Sequence, residues 1–214
     1  MSWSRQLVTI CPVRLDEWER AFYWHKSCAD QSEFLLPRSE MQFETLCKEG
    51  RVWCAVAEDG NYLGMTFLVI EGSEIEIGGL FVPDDQRGNG LGLLIVFLVI
   101  GLIIALEGKL LPHADFVFYV HAEKEAIGRT AERFLKCIDG GPVFKDPKDC
   151  LGMAVGPSGQ VEGKKYFLKR PDSFLAIADW LSLWRGRLAN GSTVTIEAPG
   201  GLSVAEIISR LRAV

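Results

Sequence analysis

The chain has 214 residues, of which 48% are apolar and 24% charged, with a net charge of −5. This is the composition of an ordinary globular protein long enough to bury a large core. The charge is uneven, +3 over residues 160–214 and −8 over the remainder, and such an acidic body argues against nucleic acid as a partner and favours a cationic substrate.

Six cysteines (Cys11, Cys28, Cys47, Cys54, Cys137 and Cys150) form no C-x-x-C pair, and none stands at zinc-ligand spacing from a His, so no metal is expected. Met1–Pro12 lacks a basic start followed by an apolar run. The chain is therefore read as cytoplasmic, with reduced thiols.

In chain order, the β-branched run Leu7–Val13 predicts a strand and the apolar spacing of Leu15–Asp30 a helix. Ser39 with Gln42 forms a capping box before a helix that closes on Gly50. Three strands follow as a meander: Arg51–Ala57, Tyr62–Ile70 and Glu74–Val82, turning at Asp59-Gly60 and at Glu71-Gly72-Ser73. After a glycine-rich stretch, Leu91–Leu106 reads as a helix, Ala114–Ala122 as a strand, and Glu123–Ile138 as a helix ended by Asp139-Gly140-Gly141-Pro142. Cys150–Arg170 reads as two strands around a Pro/Gly turn. Ser173–Leu188 has helical spacing, Gly191–Gly201 reads as a strand and turn, and Ser203 with Glu206 caps a last helix.

The stretch Arg87-Gly88-Asn89-Gly90-Leu91-Gly92 lies between a strand and the start of a helix. Glycines let the backbone approach a ligand closely. The first helical turn offers unpaired N–H groups, and the helix dipole favours an anion there. The motif is neither a P-loop, since no Lys-Ser/Thr follows, nor the dinucleotide fingerprint.

Val82-Pro83 followed by Arg87, Gly90 and Gly92 resembles the acyl-CoA-binding motif Q/R-x-x-G-x-G/A of the GNAT superfamily of N-acetyltransferases. The strand before the motif, the helix after it and the order of elements over residues 5–170 agree with that family. The resemblance implies an α+β fold with a mixed, mostly antiparallel sheet, a splayed central strand pair and helices on both faces. It implies a domain over residues 1–170, leaving 171–214 as a C-terminal helix-strand-helix extension for packing, dimer or partner contact. It also implies that backbone groups of Leu80, Phe81 and Val82 pair with the pantetheine of acetyl-CoA, and that Arg87, Gly88, Asn89, Gly90, Leu91 and Gly92 take its pyrophosphate. The reaction implied is direct attack of a neutral amine on the thioester, without a metal.

Glu74, thirteen residues before Arg87, resembles the glutamate base of the family's histone-acetylating branch. Glu76 shares its face, because strand side chains alternate. Paired carboxylates near an apolar site suit a general base. The family's usual Tyr in the helix after the fifth strand, and the Asn at that helix start, are missing, which leaves Tyr119 and His121 as candidates for the acid. Tyr23, Trp24 and His25 stand where the family lines the acceptor mouth. The acceptor implied by the resemblance is a small-molecule or protein amine. The alternatives are an acyl-CoA-binding protein with weak or no turnover, or an enzyme of this fold that modifies protein or DNA.

Gly88–Leu106 carries no charge. A membrane span needs about twenty apolar residues, and Leu91–Leu106 falls short, so a buried helix is expected. A helix apolar all round must be covered on every side, here by residues 171–214 or by a second copy in a homodimer.

Overall fold

The computed structural model describes residues 5–107, 114–146, 148 and 153–214. Eight strands form one sheet: β1 (Leu7–Pro12), β2 (Val52–Ala57), β3 (Tyr62–Glu71), β4 (Glu74–Phe81), β5 (Asp115–His121), β6 (Cys137–Lys145), β7 (Val161–Leu168) and β8 (Thr193–Ile196). Their order across the sheet is β6-β7-β5-β4-β3-β2-β1-β8. All neighbours run antiparallel except β4 with β5 and β1 with β8. The β2-β3-β4 meander follows from its turns, where Gly60 (φ +85°) and Gly72 (φ +59°) take the left-handed backbone that a side chain resists. The step from β4 to β5 is parallel and needs a crossover helix, α3 (Leu91–Glu107).

The helices divide between the two faces. Alternation puts Ile75 and Ile77 of β4 and Phe116 of β5 on one face. There they join a core with α3, α4 (Glu125–Leu135), α5 (Asp172–Leu183) and α6 (Val204–Arg212). Phe67 and Met65 of β3 point the other way, into a second core with α1 (Trp18–Asp30) and α2 (Glu40–Lys48). Glu74 and Glu76 share that second face by alternation. Both predicted capping boxes are present, at Ser39 with Gln42 and at Ser203 with Glu206.

Helix α3 is buried all round. Leu94, Ile95, Phe97, Leu98, Val99 and Ile100 have no exposed surface. The sheet takes one side. α5 and α6 take the other, with Trp180 edge-on to Phe97 at 5.0 Å. Gly101 is the point of closest approach: a Cβ there would collide with Ile207 of α6. The chain's own C-terminal residues thus cover the outer face without a second copy. Among the described residues no helix is long and apolar enough to cross a membrane.

Two readings of the sequence are corrected. The helix expected over Glu123–Ile138 stops at Leu135, because Lys136 takes a left-handed conformation (φ 53°). Cys137–Lys145, including the supposed terminator Asp139-Gly140-Gly141-Pro142, is a strand. It tolerates Pro142 and Gly141 (φ +91°) because β6 is an edge strand whose register shifts between Asp139 and Pro142. Of the two strands expected over Cys150–Arg170, the described residues form one, Val161–Leu168, whose hairpin partner is β6. Cys150, Leu151 and Gly152 lie outside the described residues.

The α3–α6 crossing gives a direct test. Gly101→Val should destabilise the fold by about 2 kcal/mol or more, since overpacking forces the helices apart. Chemical denaturation would show a lower midpoint.

Candidate active site

β4 and β5 pair over only three positions, Glu74 with Asp115, Ile75 with Phe116 and Glu76 with Val117. Beyond them the strands diverge. A bulge drives the separation: the β3–β4 register shifts between Met65 and Phe67, and Gly79 sits at φ +56° against the Phe67 ring, where any Cβ would collide. Thr66 Oγ donates to Gly78 O at 2.8 Å and holds the bulge. The gap is a cavity of ≈ 620 Å³.

One wall is the end of β4, with Leu80, Phe81 and Val82, whose β5-facing backbone is unpaired by β5. The start of α3 adds Gly92 and Leu93, and α4 adds the apolar Ile127, Ala131 and Leu135. Gly92 allows α3 to approach closely; a Cβ on it would lie 3.3 Å from Val82 Cγ2.

The helix start has an uncommon cap. The residue preceding the helix is Gly90 (φ +87°), which has no side chain to accept from the first turn. Asn89 Oδ1 takes the Leu91 N–H at 2.9 Å, and Gly90 O takes the Leu94 N–H at 3.0 Å. The N–H groups of Gly92 and Leu93 meet no acceptor among the described residues. Two unpaired donors at the positive end of a 17-residue helix therefore face the cavity edge.

The other expected loop residues act at one remove. Asn89 is buried, and its carbonyl accepts from Ala189 N at 3.0 Å. Leu91 is core, and Gly88 (φ +81°) shapes the turn. Arg87 lines the cavity, but its Nε donates to Val82 O at 2.8 Å and its guanidinium pairs with Asp84. It ties the loop to the end of β4.

The two glutamates part company. Glu76 lines the cavity, whereas Glu74 does not and is ion-paired to Lys165 of β7. Tyr119 and His121 line the cavity too. The His121 Nε2–H donates to Ala154 O at 3.0 Å, while Nδ1 accepts from Glu123 N at 3.2 Å. Both nitrogens thus serve the backbone. Ala154 N in turn donates to Glu33 O at 2.8 Å, so His121 steadies the segment after α1.

Of the three expected acceptor residues, none lines the cavity. Tyr23 is 60% exposed. Trp24 packs on Tyr62 and Phe81. His25 is wholly buried between Phe43 and Phe67, with neither ring nitrogen bonded among the described residues. The wall on this side is instead the segment between α1 and α2, which contributes Phe34, Leu35, Leu36 and Arg38. An arginine directly after the apolar run Phe34-Leu35-Leu36-Pro37 was the available signal.

No protein-family model matches the chain, and no curated protein does. Solved structures do. A putative acetyltransferase from Acinetobacter baylyi superposes with a TM-score of 0.59 at 17% identity, over 79% of this chain and 96% of its own. An acetyltransferase of the GNAT family from Streptococcus pneumoniae gives 0.58 at 9%, over 76% and 99%. A GNAT-superfamily phosphinothricin acetyltransferase from Sinorhizobium meliloti, solved with acetyl-CoA, gives 0.52 at 14%, over 75% and 86%. The chain has the GNAT fold. In this chain β8 pairs with β1 at the sheet edge, and α5 and α6 pack on α3.

His25 makes the stability pH-dependent. Burial, with the Arg38 charge nearby, lowers its pKa from 6.5 to about 4. The unfolded chain takes up a proton as pH falls through 6.5, whereas the folded chain does so only near 4. Stability present above pH 6.5 is therefore lost between 6.5 and about 4, by on the order of 3 kcal/mol. His25→Leu should remove most of that slope and leave the neutral-pH midpoint equal or higher. Urea titrations at pH 7 and 4.5 would show it.

Proposed function

We propose that the protein is an N-acetyltransferase that moves an acetyl group from acetyl-CoA to a primary amine. The observation that carries this reading is the meeting, in one cavity, of an unpaired strand edge and two unpaired N–H groups at a glycine-capped helix start. The residues present fit acetyl-CoA. Gly92 and Leu93 N–H suit a pyrophosphate, the backbone of Leu80–Val82 suits amides lying alongside as a strand, and Ile127, Ala131 and Leu135 offer apolar cover. The Sinorhizobium meliloti protein was solved with this compound.

Acetyl-CoA supplies an activated thioester. The amine nitrogen forms a bond to the acetyl carbon as the carbon–sulfur bond breaks, and the amine proton must leave. Glu76 receives it, since Glu76 lies in the cavity and Glu74 is held by Lys165. The departing sulfur needs a proton in return, for which Tyr119 is our candidate, a hydroxyl-bearing residue of the cavity on the same face of the sheet as Glu76. His121 serves instead in positioning the wall.

Thiol release from acetyl-CoA against a panel of amines tests the reading, with calorimetry for CoA binding. Glu76→Gln should lower kcat by about 10²- to 10⁴-fold without weakening CoA, a deficit that shrinks at high pH where the amine arrives neutral. Glu74→Gln should cost far less. Equal losses in both variants would remove Glu76 from this role.

Gly90→Asp puts a carboxylate beside the two free N–H groups. It should weaken CoA binding by about 10-fold or more in a protein that still shows its native circular dichroism. Unchanged affinity would place the pyrophosphate elsewhere.

A further inference from the structure

The acceptor side of the cavity is built around a guanidinium that faces Glu76 without a hydrogen bond to it. Arg38 is only 16% exposed in its side chain, and its Nε is buried without a hydrogen-bond partner among the described residues. It stacks over the Phe67 ring at 5.1 Å. Its nearest carboxylate oxygen is Glu76 Oε1, 3.9 Å from a terminal nitrogen, beyond hydrogen-bond reach. Arg38 donates no hydrogen bond to any described residue, although a guanidinium carries five N–H groups. A charge taken this far from water with its donors unused is costly unless a ligand satisfies them.

Its neighbours deepen the imbalance. Lys145 Nζ lies 4.6 Å above the Tyr119 ring and Lys124 Nζ 3.9 Å above the Phe34 ring; neither has a carboxylate partner among the described residues. Lys165 is matched by Glu74. The cavity thus presents Arg38, Lys124 and Lys145 against Glu76 and Glu162, the second of which already accepts from Ser158 N at 3.1 Å. An acidic protein has a cationic acceptor chamber.

We propose, building on the acetyl-transfer reading, that the acceptor is a free α-amino acid whose carboxylate is taken by Arg38 while its amine lies on Glu76. The geometry suits that class. N–Cα and Cα–C bonds of about 1.5 Å place the amine nitrogen and carboxylate oxygens roughly 3 Å apart, close to the 3.9 Å between the two receiving side chains. A guanidinium grips a carboxylate through two parallel hydrogen bonds, which fixes the orientation of the amine. Leu35, Leu36 and Phe67 leave an apolar wall for an uncharged side chain. A polyamine is disfavoured, because its second cation would meet Arg38, Lys124 or Lys145.

The test uses the full-length chain, acetyl-CoA, and matched acceptors: L-leucine, L-methionine and L-phenylalanine, the amide of each, the corresponding decarboxylated amine, and spermidine. For at least one amino acid, kcat/KM should exceed that of its amide and amine about 100-fold. Arg38→Gln should raise KM for that amino acid about 10-fold or more beyond any change for its amide and amine, while CoA still binds by calorimetry. Arg38→Lys should restore only part of the loss, lacking the fork. Turnover of spermidine or of the decarboxylated amines at rates equal to the amino acids would overturn the proposal. So would an Arg38→Gln loss shared equally by all acceptors, or the absence of both turnover and calorimetric binding of every amino acid in the presence of CoA. Failure of acetyl-CoA itself to bind would overturn the acetyl-transfer reading, and this inference with it.

Discussion

A sheet that stops pairing part-way along two adjacent central strands has to answer for every backbone N–H and C=O it leaves open, since such groups are rarely left without partners inside a protein. Here β4 and β5 separate after Glu76 and Val117, and the site follows from that separation. The bulge at Gly79 turns the end of β4 outward, with Thr66 holding it from β3. Arg87 then fastens the loop to Val82, so that α3 begins beside the open edge and not above the paired part of the sheet. The unpaired groups at the helix start and those at the strand edge face the same space. A linear ligand with amides along its length and a phosphate group at one end satisfies both sets at once.

Where local chemistry sets the structure, the sequence was readable. The β2–β4 meander was legible from Asp59-Gly60 and Gly72, both capping boxes from their serines, and the course of α3 from its unbroken apolar run. β6 was not, because Gly141 and Pro142 announce a turn locally, and only their place on a sheet edge makes them a bulged strand. Glu74 and Glu76 could not be separated by sequence, since alternation puts both on one face. What separates them is Lys165, which is 91 positions from Glu74 in the chain. His25 was misread for a related reason. The family resemblance placed it at the acceptor mouth, and whether this part of α1 forms a mouth or a core depends on β3 and α2, which pack Phe67 and Phe43 against it.

The cavity walls differ in sign of charge from the chain as a whole. The chain carries −5 overall, and its acidity favoured a cationic acceptor on the sequence alone. The cavity has Arg38, Arg87, Lys124 and Lys145 on its walls, with Glu76 and Glu162 opposed to them. The mean field of a protein influences what approaches it, while the groups inside a low-dielectric cleft decide what stays.

The three-position ladder between β4 and β5 has a mechanical consequence. It is the short seam joining β1–β4 and β8 to β5–β7, with α3 spanning the break from one side. A ligand lying in the gap as a surrogate strand extends that seam, so its binding free energy is added to the resistance of the whole sheet against opening, by an amount that grows with the logarithm of its concentration over its dissociation constant. In this respect the occupant of the cleft acts as a removable rung of the fold.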